Sequence, residues 1–197
     1  MRECLIRCIY ADMLGHSVDF CHIFAVTMCQ NSNLTVKRAA YLTCFLILSE
    51  ESEFRMMIVA TLQKDLLSTS TYNVLIALNT LCKLISMDNF PSFAEIIPRL
   101  LGNSSPLVRK KAFCVFGRML KIAPQNIPNY ELKLKDGLGD KDPSVLGVVL
   151  NIYHNESRKD PAKYKEILKI LVAHHNKILD AKLPRDYDFT RIPAPWM

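Results

Sequence analysis

Basic side chains cluster at two points of the sequence, and these clusters are the first candidates for binding chemistry. Lys37-Arg38 and Arg109-Lys110-Lys111 each follow a valine at the start of a predicted helix. Ammonium and guanidinium groups bind carboxylates and phosphates through charge-assisted hydrogen bonds. Because the two clusters occupy equivalent helix starts, we expect them to share one edge of the fold and to contact an acidic protein or lipid surface. The alternative is that these charges only keep exposed helices soluble.

Patterns for metal binding and catalysis are weak. The nearest metal-ligand candidates are Cys4 with Cys8, Cys21 with His22, and His174 with His175. None of them has the second ligand pair that a structural metal site needs. The sequence also contains no glycine-rich phosphate loop, because Gly137-Leu138-Gly139 has neither a third glycine nor a preceding strand pattern. We therefore expect no catalytic residue, no metal and no cofactor.

Composition excludes several classes of protein. The chain has 197 residues, of which 50% are apolar and 22% are charged, with a net charge of +6. A chain this apolar can offset the entropy of ordering, so intrinsic disorder is excluded. Its longest nearly unbroken apolar run, 39–48, is shorter than the roughly 20 residues of a membrane-spanning helix. Seven cysteines without a repeated framework favour free thiols, and without a signal-peptide pattern the expected compartment is the cytosol.

Apolar residues recur every three to four positions along most of the chain, which is the pattern of amphipathic helices. Four valines stand near the starts of predicted helices, at separations of 38, 34 and 37 residues; they are Val36, Val74, Val108 and Val145. Seven positions before each valine an apolar residue closes the preceding helix; these are Cys29, Leu67, Leu101 and Leu138. One unit is therefore an A helix, a turn of about six residues and a B helix, repeated about every 36 residues.

Local patterns add two expectations. In the second B helix, Val74, Leu78 and Leu81 share the buried stripe, and Thr80 falls on the opposite face. The polar turns before the B helices, at 31–33, 68–70, 103–106 and 140–143, are expected to supply side chains that cap these helices.

A helical pair of this kind cannot bury its apolar stripe alone, so neighbouring pairs are expected to stack. The predicted fold class is all-α: a right-handed α-α superhelix of the armadillo or HEAT type over residues 1–181, with an extended proline-rich tail over 182–197. Pro184, Pro193 and Pro195 disfavour a helix in that tail. An irregular helical bundle is the alternative, but it does not explain the repeated offset.

Several segments, taken in order, resemble the N-terminal trunk of adaptin large subunits. They are Ile9 to His16 with Phe20, Lys37-Arg38 with Tyr41-Leu42, Lys64-Asp65-Leu66, Val108 to Ala112, and Ile192 to Trp196. The resemblance covers almost the whole chain. Within the family, Lys182-Leu183-Pro184 and the block from Ile9 to Gly15 look more like the epsilon subunit of the fourth adaptor complex than like the alpha type.

The resemblance implies protein binding and no catalysis. It implies that the chain is the trunk of one subunit of a heterotetrameric vesicle coat. The implied partners are a sigma-type small subunit, a beta-type large subunit and a medium subunit. An Arf-type GTPase would recruit the complex from the cytoplasm to trans-Golgi network and vesicle membranes, as a peripheral membrane contact. Only Arg2 and Arg7 stand near the position of the lysine cluster through which alpha relatives bind phosphoinositides, which weakens the case for inositol-lipid binding. Family trunks begin earlier and continue further, so we expect this chain to be part of a longer trunk.

Two other functions compete with this interpretation. An armadillo-type peptide-binding scaffold, such as a nuclear-transport factor, would carry regular Trp and Asn positions on its B helices, but the one tryptophan is Trp196 in the tail. A helical hydrolase would need a compact polar pocket with perturbed titratable groups. Nucleic acid is not expected as a partner, because the B helices lack a regular base-reading triplet. The partner- or membrane-binding candidates are Lys37, Arg38, Arg109, Lys110 and Lys111.

Overall fold

The computed structural model describes residues 1–49, 52–165 and 167–180, and all regular secondary structure among these residues is helical. Two 3-10 turns cover Asp19–Cys21 and Pro124–Asn126. The α-helices in chain order are α1 (Arg2–Met13), α2 (His22–Met28), α3 (Leu34–Ile47), α4 (Phe54–Met57), α5 (Val59–Leu66), α6 (Thr71–Leu84), α7 (Phe90–Phe93), α8 (Ile96–Leu100), α9 (Pro106–Ile122), α10 (Tyr130–Leu138), α11 (Pro143–Ser157) and α12 (Ile167–Leu179). The all-helical prediction is confirmed.

The chain divides into two compact units, residues 1–128 and 129–197. In the first unit α2 packs on α3, α5 on α6 and α8 on α9, so each A helix lies against its own B helix. Helix α3 also packs on α6, and α6 on α9, so the B helices form a continuous layer. This is the solenoid-like stacking that the repeat predicts. In the second unit α10 packs on α11 as a fourth pair, and the predicted tail, 182–197, lies outside the described residues.

The B helices begin where the sequence repeat places them. Asn33 caps α3, since its side-chain oxygen accepts hydrogen bonds from the backbone N–H of Thr35 at 2.9 Å and of Val36 at 3.5 Å. Asp142 caps α11 by accepting from the Ser144 N–H at 2.8 Å. These bonds satisfy backbone donors that the first helical turn leaves without an internal partner. The capping prediction is confirmed for these two turns and wrong for the other two, because Ser70 before α6 and Ser105 before α9 make no side-chain capping bond.

The A helices are shorter than the B helices, and the third A helix is interrupted. Helices α7 and α8 together replace one continuous A helix, and the break falls at residues 94–95. Pro98 in α8 has no N–H to donate to the carbonyl of Ala94, which removes one bond of a continuous helix at this place. The continuous B helices α3, α6 and α9, of 14, 14 and 17 residues, therefore provide the longest regular surface of the first unit.

The core of α6 agrees with the predicted stripe except at one position. Val74, Leu78 and Leu81 are buried as predicted. The prediction for Thr80 was wrong, because this side chain is only 2% exposed and its Oγ1 lies 3.5 Å from the carbonyl oxygen of Tyr41. Thr80 faces the neighbouring B helix α3, so a middle B helix buries a second face in addition to the one against its A helix.

Candidate functional site

A groove with a volume of about 670 Å³ crosses the B helices α3, α6 and α9, and its lining runs from their first turns to their central turns. Most of its lining is aliphatic or aromatic; these residues are Leu34, Tyr41, Leu42, Tyr72, Leu75, Ile76 and Leu107. The repeat places them together, because residues at the start of each B helix meet equivalent residues of the next B helix. The groove is thus a direct product of the stacked layer.

Several apolar side chains of the groove are open to solvent. Leu42 is 47% exposed, Tyr72 69% and Leu107 57%. Single exposed apolar residues are ordinary on protein surfaces, but a contiguous patch is typical of an interaction site. Sequence reasoning missed this patch. A signal was available, since Leu34, Tyr72 and Leu107 are each the first or second residue of a B helix and lie off its buried stripe.

Three of the five predicted basic residues line this groove. Arg38 lies on α3 and is exposed, whereas Lys110 and Lys111 lie on α9 and are half-buried. Lys111 Nζ donates to Asn79 Oδ1 at 2.9 Å, a neutral partner that leaves the positive charge uncompensated. Within the described residues no carboxylate lines the groove or forms an ion pair with these three cations.

Lys37 does not join this group. Its Nζ lies 2.5 Å from Asp65 Oδ1 on α5, and the side chains of the two residues are only 11% and 5% exposed. The second carboxylate oxygen accepts a hydrogen bond from the Tyr41 hydroxyl at 2.6 Å. Lys37 and Tyr41 are four residues apart on one face of α3, so both reach the same carboxylate on the next A helix. Lys37 therefore connects two helical pairs of this chain and does not lie on the surface that would contact another protein.

Arg109 also has internal partners. Its Nη1 donates to the carbonyl oxygens of Asn103 and Ser104 at 2.9 and 3.1 Å, in the turn that precedes α9. Guanidinium groups suit this task, since their donors can satisfy several carbonyls at once. Each basic cluster is thus divided by role: Arg38, Lys110 and Lys111 line the groove, while Lys37 and Arg109 bind neighbouring side-chain or backbone groups.

Two sets of buried titratable groups in the first unit form hydrogen bonds within each set. Burial, and then the hydrogen bond to Asp65, raise the pKa of the Tyr41 phenol above its ordinary range. Cys29 and Cys44 are buried with their Sγ atoms 3.7 Å apart. Their hydrogen bond is the largest cause that raises the pKa of the Cys29 thiol, followed by burial. Raised values favour the neutral forms, which are poor nucleophiles.

Two other kinds of feature are absent from the described part of the chain. No three His, Cys, Asp or Glu side chains there come together in a way that would hold a metal ion. Among the same residues, no helix combines the length and hydropathy required to cross a bilayer.

Comparison with known proteins identifies the family. The whole chain, residues 1–197, matches the family described as the adaptin N-terminal region. This chain belongs to that family. The predicted resemblance to adaptin trunks is therefore confirmed, and the stacked helical pairs and their groove are features of an adaptin chain.

The relatives of this adaptin chain include AP-4 epsilon subunits. This chain is 34% identical to the AP-4 complex subunit epsilon of Arabidopsis thaliana, over all of this chain and 21% of that protein. It is 32% identical to the human AP-4 complex subunit epsilon-1, over all of this chain and 17% of that protein. The AP-2 complex subunit alpha-2 of Dictyostelium discoideum is 24% identical over the whole chain and 20% of that protein. The chain spans about a fifth of the length of these relatives.

A known structure also shares the fold. The match is to a chain described as a homology model of the full-length AP-3 complex in an intermediate open conformation, with a TM-score of 0.75 and 22% identity. It covers 91% of the adaptin chain and 32% of the other chain. The likeness is one of fold, and it agrees with the solenoid-like packing of the first unit.

Proposed function

We propose that this chain forms part of the trunk of an adaptor-complex large subunit and acts by binding proteins during vesicle-mediated transport. The observation that carries the proposal is the adaptin match over all 197 residues, together with 31–34% identity to AP-4 epsilon subunits. The proposed role is non-catalytic. It uses the extended surface of stacked helices, for which no compact reaction pocket is needed.

The proposed partners are those of a heterotetrameric adaptor: a sigma-type small subunit, a beta-type large subunit and a medium subunit. An Arf-type GTPase is the proposed recruiting factor, and trans-Golgi network and vesicle membranes are the proposed location of peripheral attachment. Arg38, Lys110 and Lys111 are the proposed contact residues, because the groove that they line is basic, apolar and open to solvent. Lys37 and Arg109 would contribute indirectly, by holding the helices that form this surface.

Co-purification tests this function. The tagged full chain is isolated from cells of its source organism, and bound proteins are identified by mass spectrometry. We expect sigma-type and beta-type adaptor subunits in amounts comparable to the tagged chain. Recovery of the chain without any adaptor subunit would contradict the proposed role.

A charge-reversed variant tests the contact residues in the same experiment. R38E/K110E/K111E should recover less of these subunits than K64E/R118E/K121E, which makes the same change of charge at exposed positions outside the groove. Equal recovery with the two variants would remove Arg38, Lys110 and Lys111 from the proposed interface.

A further inference from the structure

The groove across α3, α6 and α9 has a shape that suits a rod-like occupant. Its volume of about 670 Å³ lies over three helices packed side by side. Packed helix axes are about 8–10 Å apart, so the groove spans roughly 16–20 Å from α3 to α9. At 1.5 Å per residue, a helix of about 11–13 residues covers that span. A partner helix of three to four turns therefore matches the length of the groove.

The lining determines which face of a helix would enter. Leu42, Leu75 and Leu107 come from three different B helices and give the groove an apolar row. An amphipathic helix presents apolar residues at i, i+3, i+4 and i+7 along one stripe, which is a complementary row. A flat bilayer would touch only the rim of a concave surface, whereas a helix reaches half-buried floor residues such as Leu75. The shape thus favours a protein helix over a membrane.

The charges determine what must flank that apolar stripe. Arg38 stands at one end of the groove on α3, and Lys110 and Lys111 stand at the other end on α9. No carboxylate lines the groove among the described residues, and none pairs with these cations. One end of the groove also lies at the first turns of α3, α6 and α9, which carry Leu34, Tyr72 and Leu107 and where the helix dipole favours negative charge. Acidic residues beside the apolar stripe of a bound helix would therefore interact favourably with this positive potential.

We propose that the groove binds an amphipathic helix of a partner protein that carries acidic residues beside its apolar stripe. This inference rests on the proposed protein-binding function and adds the chemistry of the partner. Apolar side chains of the helix pack on Leu42, Leu75 and Leu107, and its carboxylates pair with Arg38, Lys110 and Lys111. Charge complementarity speeds encounter and selects the partner, while the buried apolar contacts hold it.

A designed peptide tests the proposal without knowledge of the natural partner. The probe is a fluorescein-labelled amphipathic peptide of about 14 residues, with leucines along one stripe and glutamates on both sides of it. Its control has lysine in place of every glutamate. Binding to the full chain is measured by fluorescence anisotropy at low and at physiological salt. We expect the acidic peptide to bind, more weakly at the higher salt, and the lysine peptide not to bind.

Variants locate the binding. R38E/K110E/K111E should weaken binding of the acidic peptide about tenfold or more, while K64E/R118E/K121E should leave it within about twofold. L42A/L107A should also weaken binding, because these exposed residues supply apolar contact at little cost to folding. R38Q/K110Q/K111Q serves as a milder replacement if the charge-reversed variant loses its circular dichroism signal.

Three results would overturn the proposal. They are equal binding by the groove and control variants, equal binding of the acidic and lysine peptides, and an anionic membrane as the preferred ligand. The last is tested with vesicles of phosphatidylserine and phosphatidylcholine. Vesicle binding that R38E/K110E/K111E abolishes, with no binding of the acidic peptide, would assign the groove to a lipid surface. Co-purification of adaptor subunits is a separate measurement, so the proposed function can stand if the peptide result fails.

Discussion

Lys37 and Asp65 form an ion pair between two neighbouring helical pairs, with Nζ 2.5 Å from Oδ1. Their side chains are only 11% and 5% exposed, and the Tyr41 hydroxyl occupies the second carboxylate oxygen. Removal of one partner from a largely buried pair leaves the other charge uncompensated, which costs far more than the loss of an exposed pair. This pair is therefore a sensitive point of the stack.

Lys37→Met should lower the free energy of unfolding by about 3 kcal/mol, because the largely buried Asp65 carboxylate loses its cation. Urea denaturation at neutral pH measures the change. Glu3→Gln is the control, because it breaks an exposed ion pair between Glu3, whose side chain is 77% exposed, and Arg7, whose side chain is 78% exposed. This substitution should cost less than about 1 kcal/mol. Equal losses in the two variants would show that burial does not strengthen the Lys37 contact.

Phe116→Ala and Leu107→Ala should differ strongly in their effect on stability. Phe116 is fully buried, so its truncation leaves a cavity and should cost about 3–5 kcal/mol. Leu107, which lines the groove, is 57% exposed and should cost less than about 0.5 kcal/mol. Urea denaturation followed by circular dichroism compares them. A large loss for Leu107→Ala would mean that this side chain is part of the core and not of an open surface.

Asn33→Ala should lower the free energy of unfolding by about 1 kcal/mol, since the Asn33 side chain accepts two backbone N–H bonds at the start of α3. Ser105 precedes α9 in the same way, but its side chain makes no capping bond. Ser105→Ala should therefore have a much smaller effect, measured by the same denaturation. The capping assignment fails if the two substitutions cost the same.

Alkaline pH should destabilise the fold through its buried phenols. Burial, with a smaller effect from Glu131 and Asp136, raises the pKa of Tyr153 to about 12, compared with about 10 in an unfolded chain. Between these values the unfolded state loses the proton while the folded state keeps it. The contribution of Tyr153 to the free energy of unfolding should therefore be constant below about pH 10 and fall above it. Tyr153→Phe should make that fall less steep in urea titrations at increasing pH, and an unchanged slope would contradict the assignment.

The cysteines should react with iodoacetamide in the order of their exposure. Cys4 is exposed, whereas Cys29 is buried and its thiol keeps a raised pKa through the hydrogen bond to Cys44 and through burial. Peptide mass spectrometry should find Cys4 alkylated first and Cys29 only after the chain unfolds in urea. Alkylation of both at one rate under native conditions would show that the α2–α3 contact opens readily.

Much of the fold could be predicted because its signal is repeated. The valines about 36 residues apart, the apolar residues seven positions before them and the polar turns between them all predict the same helical pairs. The structure places α3, α6, α9 and α11 at these positions. Agreement between local pattern, capping and period is what makes such a sequence specific for one fold.

The groove and the Lys37 contact could not be predicted in the same way. A period locates helices, but it does not say which neighbouring pair faces a given side chain. Lys37 and Arg38 are adjacent in sequence, and only the stacking sends the first to Asp65 and the second to the groove. One clue was present, since Asp65 stands between Leu62 and Leu66 on a buried stripe, where a carboxylate needs a partner.

The polar triad of Lys37, Tyr41 and Asp65 also fixes how the first two helical pairs align. A slip of one turn would move a side chain by about 5.4 Å, beyond the reach of any hydrogen bond. Leucine contacts alone tolerate such a slip, because hydrophobic attraction has no direction. The Asp65 carboxylate does not tolerate such a slip, because it would then be buried among leucines without a hydrogen-bond donor. Asp65, 28 residues from Lys37 in the sequence, thus selects one alignment of the two helical pairs among several that apolar contacts alone would allow.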